Sequence, residues 1–192
     1  VSWPTASDVV ATCQANGLQV EESVAAVWLN AAIAAFESMT GWHPFLADAS
    51  PGSLTFDAPG LVPGFVLDMK TGFATVDSVS LNGSTLSADD YILHPVGSGY
   101  ATHIQFLRHP GFSLQSIEVV GRRGRVTSVP PDVYQAVLMQ AVAYGSSLAP
   151  ALAASRIKQG QVEIEVGTRA MTMDDSGVTR GLRSVAMRYI RV

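Results

Sequence analysis

The stretch EESVAAVWLNAAIAAFESMTGWHPF, residues 21–45, decides the fold. Two acidic residues, Glu21 and Glu22, open it, which suits the positive end of a helix dipole. Val24, Val27, Trp28, Ala31 and Ala35 then recur at helical spacing on one face, and Leu29, Ile33 and Phe36 on another. Gly41 stops the pattern and Pro44 prevents a restart. The spacing predicts a helix over 21–40. A helix apolar on two faces is either central to a large domain or shared with a partner. The chain has 192 residues, which is modest for the first reading. We therefore expect Val24, Trp28, Leu29, Ile33 and Phe36 to lie at a subunit interface. The run Ala31, Ala32, Ala34 and Ala35 lets another backbone approach closely.

Upstream, Thr5 to Asn16 reads as a short helix behind Pro4, capped by Thr5 or Ser7 and ended by Asn16-Gly17. Downstream of Trp42 the texture changes. Short apolar runs alternate with Gly, Pro and other turn residues, so 45–125 is expected to be an inserted β-rich region. Its clearest element is a hairpin from Val76 to Leu86. There Asn82-Gly83 supplies the two positive φ angles of a type I′ turn. Further strands are expected near Leu54 to Phe56, Tyr91 to Leu93, His103 to Leu107 and Ser116 to Val120. The rest of Ala47 to Gly64 reads as a long loop.

Pro130-Pro131-Asp132 opens a third helix, expected over 132–148 and ended or kinked by Pro150. Val133, Val137, Met139, Ala141, Val142 and Tyr144 wrap most of its surface. Val137 and Tyr144 join the expected interface. Strict alternation in Val162 to Val166 predicts a strand, paired with Ala170 to Met173. A final helix is expected over 179–190. The fold class is thus α+β: a small helical bundle with an inserted β-rich region, read as one domain over 1–192.

Chemistry is sparse. The one cysteine, Cys13, sits between Ala11 and Ala15 and reads as a small buried hydrophobe. Of four histidines, His43, His94 and His109 directly precede proline, so they read as turn residues, and no metal-ligand spacing occurs. Gly97-Ser98-Gly99 lacks the flanking pattern of a nucleophile elbow. Asp89-Asp90 and Asp174-Asp175 read as loop solubilisers. No catalytic residue, metal site or cofactor is expected. No apolar run is read as long enough to span a bilayer, so no membrane partner is expected.

Charge is uneven. The net charge is −4, yet no Lys or Arg precedes Lys70, and basic residues gather in the second half. Opposite charge at the two ends of a chain can attract neighbouring copies. The sharpest cluster, Arg122, Arg123 and Arg125, is a possible contact for a partner or for DNA phosphates.

The order of these features resembles the head–tail connector (adaptor) family of tailed phages and related gene-transfer particles. Thr40-Gly41-Trp42-His43-Pro44-Phe45 is similar to that family's helix-to-β junction, with Trp42 where a basic residue is more usual. Val76 to Gly83 followed by Asp90-Tyr91-Ile92-Leu93 resembles its hairpin and next strand. Ser116 to Val120 leading into Val129-Pro130-Pro131-Asp132-Val133, and Arg156 to Val166 with the tail Met187 to Val192, complete the likeness. The resemblance implies a ring of twelve copies beneath the portal in the virion neck. It implies assembly in the bacterial cytoplasm, contact with the portal and the next neck or tail protein, and transient passage of DNA. It implies that Met187, Arg188, Tyr189, Ile190, Arg191 and Val192 reach the portal. A tail-completion or stopper protein, a small hydrolase and a ligand-binding module remain open alternatives. The first is expected to carry less helix, and the others to converge a site only on folding.

Overall fold

A computed structural model describes residues 2–58, 65–107, 115–156 and 178–190. The chain divides into two compact units. One comprises residues 1–41 with 129–192, and the other residues 42–128.

The first unit is helical. Helix α1 spans Ala6–Ala15 and α2 spans Glu22–Thr40. Helix α3 spans Pro131–Arg156 and α4 spans Arg180–Ala186. Thr5, not Ser7, caps α1, and its capping box with Asp8 satisfies two backbone N–H groups that the first turn leaves over. Gly41 closes α2 at φ 73°, a left-handed conformation that glycine adopts without penalty. Ala25, Leu29, Ala32 and Phe36 form the buried line of α2, which packs against α1, α3 and α4. Trp28 lies over Gly145 of α3. A Cβ at that glycine would stand 2.4 Å from the indole, so the missing side chain sets how closely the two helices approach. Gln140, wholly buried on α3, accepts a hydrogen bond from the Thr179 amide at 2.7 Å and fixes the start of α4.

Three expectations need correction here. Helix α3 continues through Pro150 to Arg156. A proline removes one internal hydrogen bond and bends a helix, and the surrounding alanines, strong helix formers, carry it onward. Helix α4 ends at Ala186 rather than near 190, and Met187 to Tyr189 turn back through bonds to residues 183, 185 and 186. Helix α2 also has the length and mean hydropathy, 1.2, of a bilayer span, contrary to the expectation that no run is long enough. Its apolar content divides between the buried line and an outer line described below.

The second unit is a six-stranded antiparallel sheet. Strands β1 (Gly52–Ala58), β2 (Val66–Leu81), β3 (Ser84–Thr85), β4 (Tyr91–His94), β5 (Ala101–Phe106) and β6 (Gln115–Arg123) are ordered β1-β6-β2-β5-β4, with β3 on β2. The Asn82-Gly83 turn has φ of 51° and 79°, as the type I′ reading requires, and pairs Leu81 with Ser84. The expected hairpin began at Val76, whereas β2 begins ten residues earlier. Its leading part pairs with β5 and its trailing part with β6, with a register shift between Asp68 and Phe73. At that irregularity Lys70 has φ 50° and its amide donates to Asp68 Oδ1 at 2.8 Å. The core of the unit is supplied by alternate residues of the strands, among them Met69, Phe73, Ile104, Phe106, Ile117 and Val119. The expected strands at 162–166 and 170–173 lie outside the described residues.

Candidate interaction surfaces

The expected interface residues separate by burial. Leu29, Phe36 and Val137 are buried, so truncating any of them to alanine removes core, at a cost of about 2–5 kcal/mol for the larger side chains. Trp28, Ile33 and Tyr144 are half-buried. Val24 is exposed. It belongs to an outer line, Val24, Val27, Ala31 and Ala34, spaced by three, four and three residues. Val27 is 65% exposed. This line was visible in the sequence as helical periodicity, but which of two apolar faces is buried was not, because α1, α3 and α4 decide it.

The three arginines are engaged within the sheet unit. Arg122 Nε donates to the Asp48 carbonyl at 2.7 Å, and Arg123 Nε pairs with the Asp48 carboxylate at 2.7 Å. The Arg125 guanidinium lies 4.3 Å from the Tyr100 ring centre and 5.3 Å from that of Trp42, while the two rings meet edge to face at 5.3 Å. A cation over two ring faces holds the entry segment of the sheet unit. Sequence proximity had suggested a shared outward charge. The structure gives each arginine a separate intramolecular contact.

At the C-terminal turn, Tyr189 packs edge-on against Phe36 and donates to Asp132 Oδ1 at 3.2 Å. Arg188 Nη1 pairs with Asp132 Oδ2 at 3.1 Å. Met187 and Ile190 instead face outward, at 65% and 39% exposure. Arg191 and Val192 lie outside the described residues.

Cys13 is buried, and burial pushes its thiol upward from the ordinary value, which disfavours the thiolate. No group of three or more His, Cys, Asp or Glu residues is placed to hold a metal ion among the described residues. A cleft of about 230 Å³ lies in the sheet unit between Phe73, Leu93, Pro95 and the 97–100 turn. Thr75, Ser98 and Tyr100 are the hydroxyl-bearing residues of its lining, which carries no acid, amine or imidazole to act as a base at neutral pH. Ser98 Oγ donates to the Tyr100 carbonyl at 2.6 Å.

Among the described residues, these units define an α+β fold in which a unit of four helices is interrupted in sequence by an antiparallel sheet. Its fold is similar to that of a chain in a solved structure described as the neck of an empty GTA particle computed with C6 symmetry. The TM-score is 0.51 at 18% identity, over 90% of this chain and 80% of that one. No family model and no curated protein gives a significant match.

Proposed function

We propose that the chain is a non-enzymatic structural subunit of the neck of a tailed-phage or gene-transfer particle. In this reading it is a head–tail adaptor that forms a ring beneath the portal, joins head to tail and continues the DNA channel. The likeness in fold to a neck chain, across nearly the whole length, carries the reading. The order of the sequence motifs supports it independently. A ring of twelve copies contains a six-fold axis, the symmetry with which that neck was computed. The two units act as one adaptor subunit, with the sheet as an insertion in the helical unit. The outer line of α2 faces a neighbouring copy, and the exposed side chains of the C-terminal turn face the portal. Its tail-side partner is the next neck or tail protein.

Deletion of the coding sequence from the element that carries it tests the proposal. The expected product is a mixture of filled heads and separate tails by electron microscopy. Complete, tailed particles made without this protein would overturn it.

A further inference from the structure

Strands β1 and β4 are the two ends of the strand order, and among the described residues no strand lies beyond either. Free edges expose unpaired N–H and C=O groups, and monomeric proteins protect them with lysine, proline, brevity or a cover. Neither edge has a lysine, arginine or proline; β1 runs for seven residues and β4 for four. The core-facing residues of both edges, Leu54 and Phe56 on β1 and Tyr91 and Leu93 on β4, are only half-buried. The two edges also match. With Leu93 beside Phe56 in a parallel pair, Tyr91 falls beside Leu54 on the core face. Ile92 then falls beside Thr55, and His94 beside Asp57, on the outer face. The pair completes apolar cover on one side and sets an imidazole against a carboxylate on the other. The antiparallel alignment that matches the same apolar residues brings Asp57 beside Asp90, two like charges. A shift by one residue turns the apolar side chains to the wrong face.

We propose that β4 of one copy adds in parallel to β1 of the next, so that the sheets of neighbouring subunits join edge to edge. The contact uses two different surfaces of each copy, which is the head-to-tail arrangement that closes into a ring. All ladders within the sheet are antiparallel, so four steps lead from β1 to β4 and give both edges the same sense. An extension that keeps that sense is parallel. The inference rests on the ring reading above and names the subunit contact within it.

The test uses assembled particles carrying full-length protein in which Cys13→Ala removes the native thiol. One variant adds Asp57→Cys and His94→Cys, and a second adds Ser53→Cys and His94→Cys. Adjacent strands lie about 4.8 Å apart, inside the range of Cα separations that a disulfide spans. Mild oxidation of the first is expected to give a ladder of multimers on a non-reducing gel, and the second is expected to stay monomeric. A ladder from the second variant instead would overturn the parallel register. No ladder from either variant, in particles whose neck carries the protein as a ring, would overturn the edge pairing alone. A neck that lacks the unmutated protein in the parent particle would overturn both the pairing and the adaptor reading.

Discussion

Trp42 shows how a residue can be conspicuous in a sequence while its role stays hidden. It marks the junction from helix to sheet unit, and its ring is almost wholly buried. The space it fills is left by Gly72, thirty residues away, where a Cβ would stand 2.0 Å from the indole. Arg125 and Tyr100 close around the same ring, so it cannot move aside without breaking two further contacts. No local pattern announces such a partnership, because glycine in a β-rich stretch reads equally well as a turn. Gly72→Ala is expected to destabilise the sheet unit by about 1–3 kcal/mol, the usual range for overpacking a filled core. Urea denaturation followed by tryptophan fluorescence measures it. A midpoint unchanged from the parent would show that the indole has room to shift.

At the scale of elements, the helices were legible where sequence carried both a period and a stop. Gly41 and the Thr5–Asp8 box fix their ends within the chain itself, and the predicted bounds of α1 and α2 agree with the structure to within a residue or so at each end. Strand β2 was only half legible. Its leading part carries an irregularity at Lys70, which breaks the alternation that identifies a strand. The Thr5–Asp8 box also makes α1 sensitive to acid. Hydrogen bonds from the Thr5 side chain and backbone, and then from Tyr134, hold the Asp8 carboxyl below its ordinary value of 3.8. A lowered carboxyl means that the folded state favours the ionised form. Its stabilisation is therefore complete above the ordinary value and is lost as pH falls through the lowered one. Asp8→Asn is expected to reduce stability at neutral pH. It is also expected to flatten the loss of stability that the parent shows as pH falls below the ordinary carboxyl value of 3.8. Denaturant midpoints across that range check it. Parallel curves for parent and variant would remove Asp8 from the account.

For the whole molecule, the charge distribution was legible and its use was not. The cluster at residues 122–125 looked like one basic patch. In the fold it is divided among Asp48, Tyr100 and Trp42. Under the adaptor proposal, a net charge of −4 and the engagement of Arg122, Arg123 and Arg125 fit a surface past which DNA slides. The isolated protein is expected to bind duplex DNA weakly, with affinity falling steeply with salt. Fluorescence anisotropy at 50 and at 200 mM salt, roughly the range over which phosphate contacts weaken, measures it. Tight binding that persists at the higher salt would contradict a channel role.

The C-terminal turn sets packed and exposed side chains side by side within four residues. Tyr189 belongs to the helical unit through Phe36 and Asp132, and Arg188 shares the same carboxylate. Removing the whole tail would therefore unfold contacts as well as remove a surface. It would leave Asp132 without two of its partners. Met187 is the more exposed of the two apolar side chains here, at 65%, and Ile190 keeps 39% of its surface exposed. Apolar side chains beside basic ones have the composition of an interface anchor with a polar rim. Under the adaptor proposal they enter apolar grooves of the portal. Met187→Asp with Ile190→Asp is expected to leave the melting temperature within a few degrees of the parent, since surface substitutions usually cost about 0.5 kcal/mol or less. The same variant is expected to fail to attach to portal-bearing heads, read by co-sedimentation of purified protein with heads. Tyr189→Phe is expected to do the reverse, losing about 1 kcal/mol with its hydrogen bond while attachment persists. If the double aspartate variant still co-sediments, the portal contact lies elsewhere on the subunit. If it melts far below the parent, Met187 and Ile190 serve the fold rather than a partner.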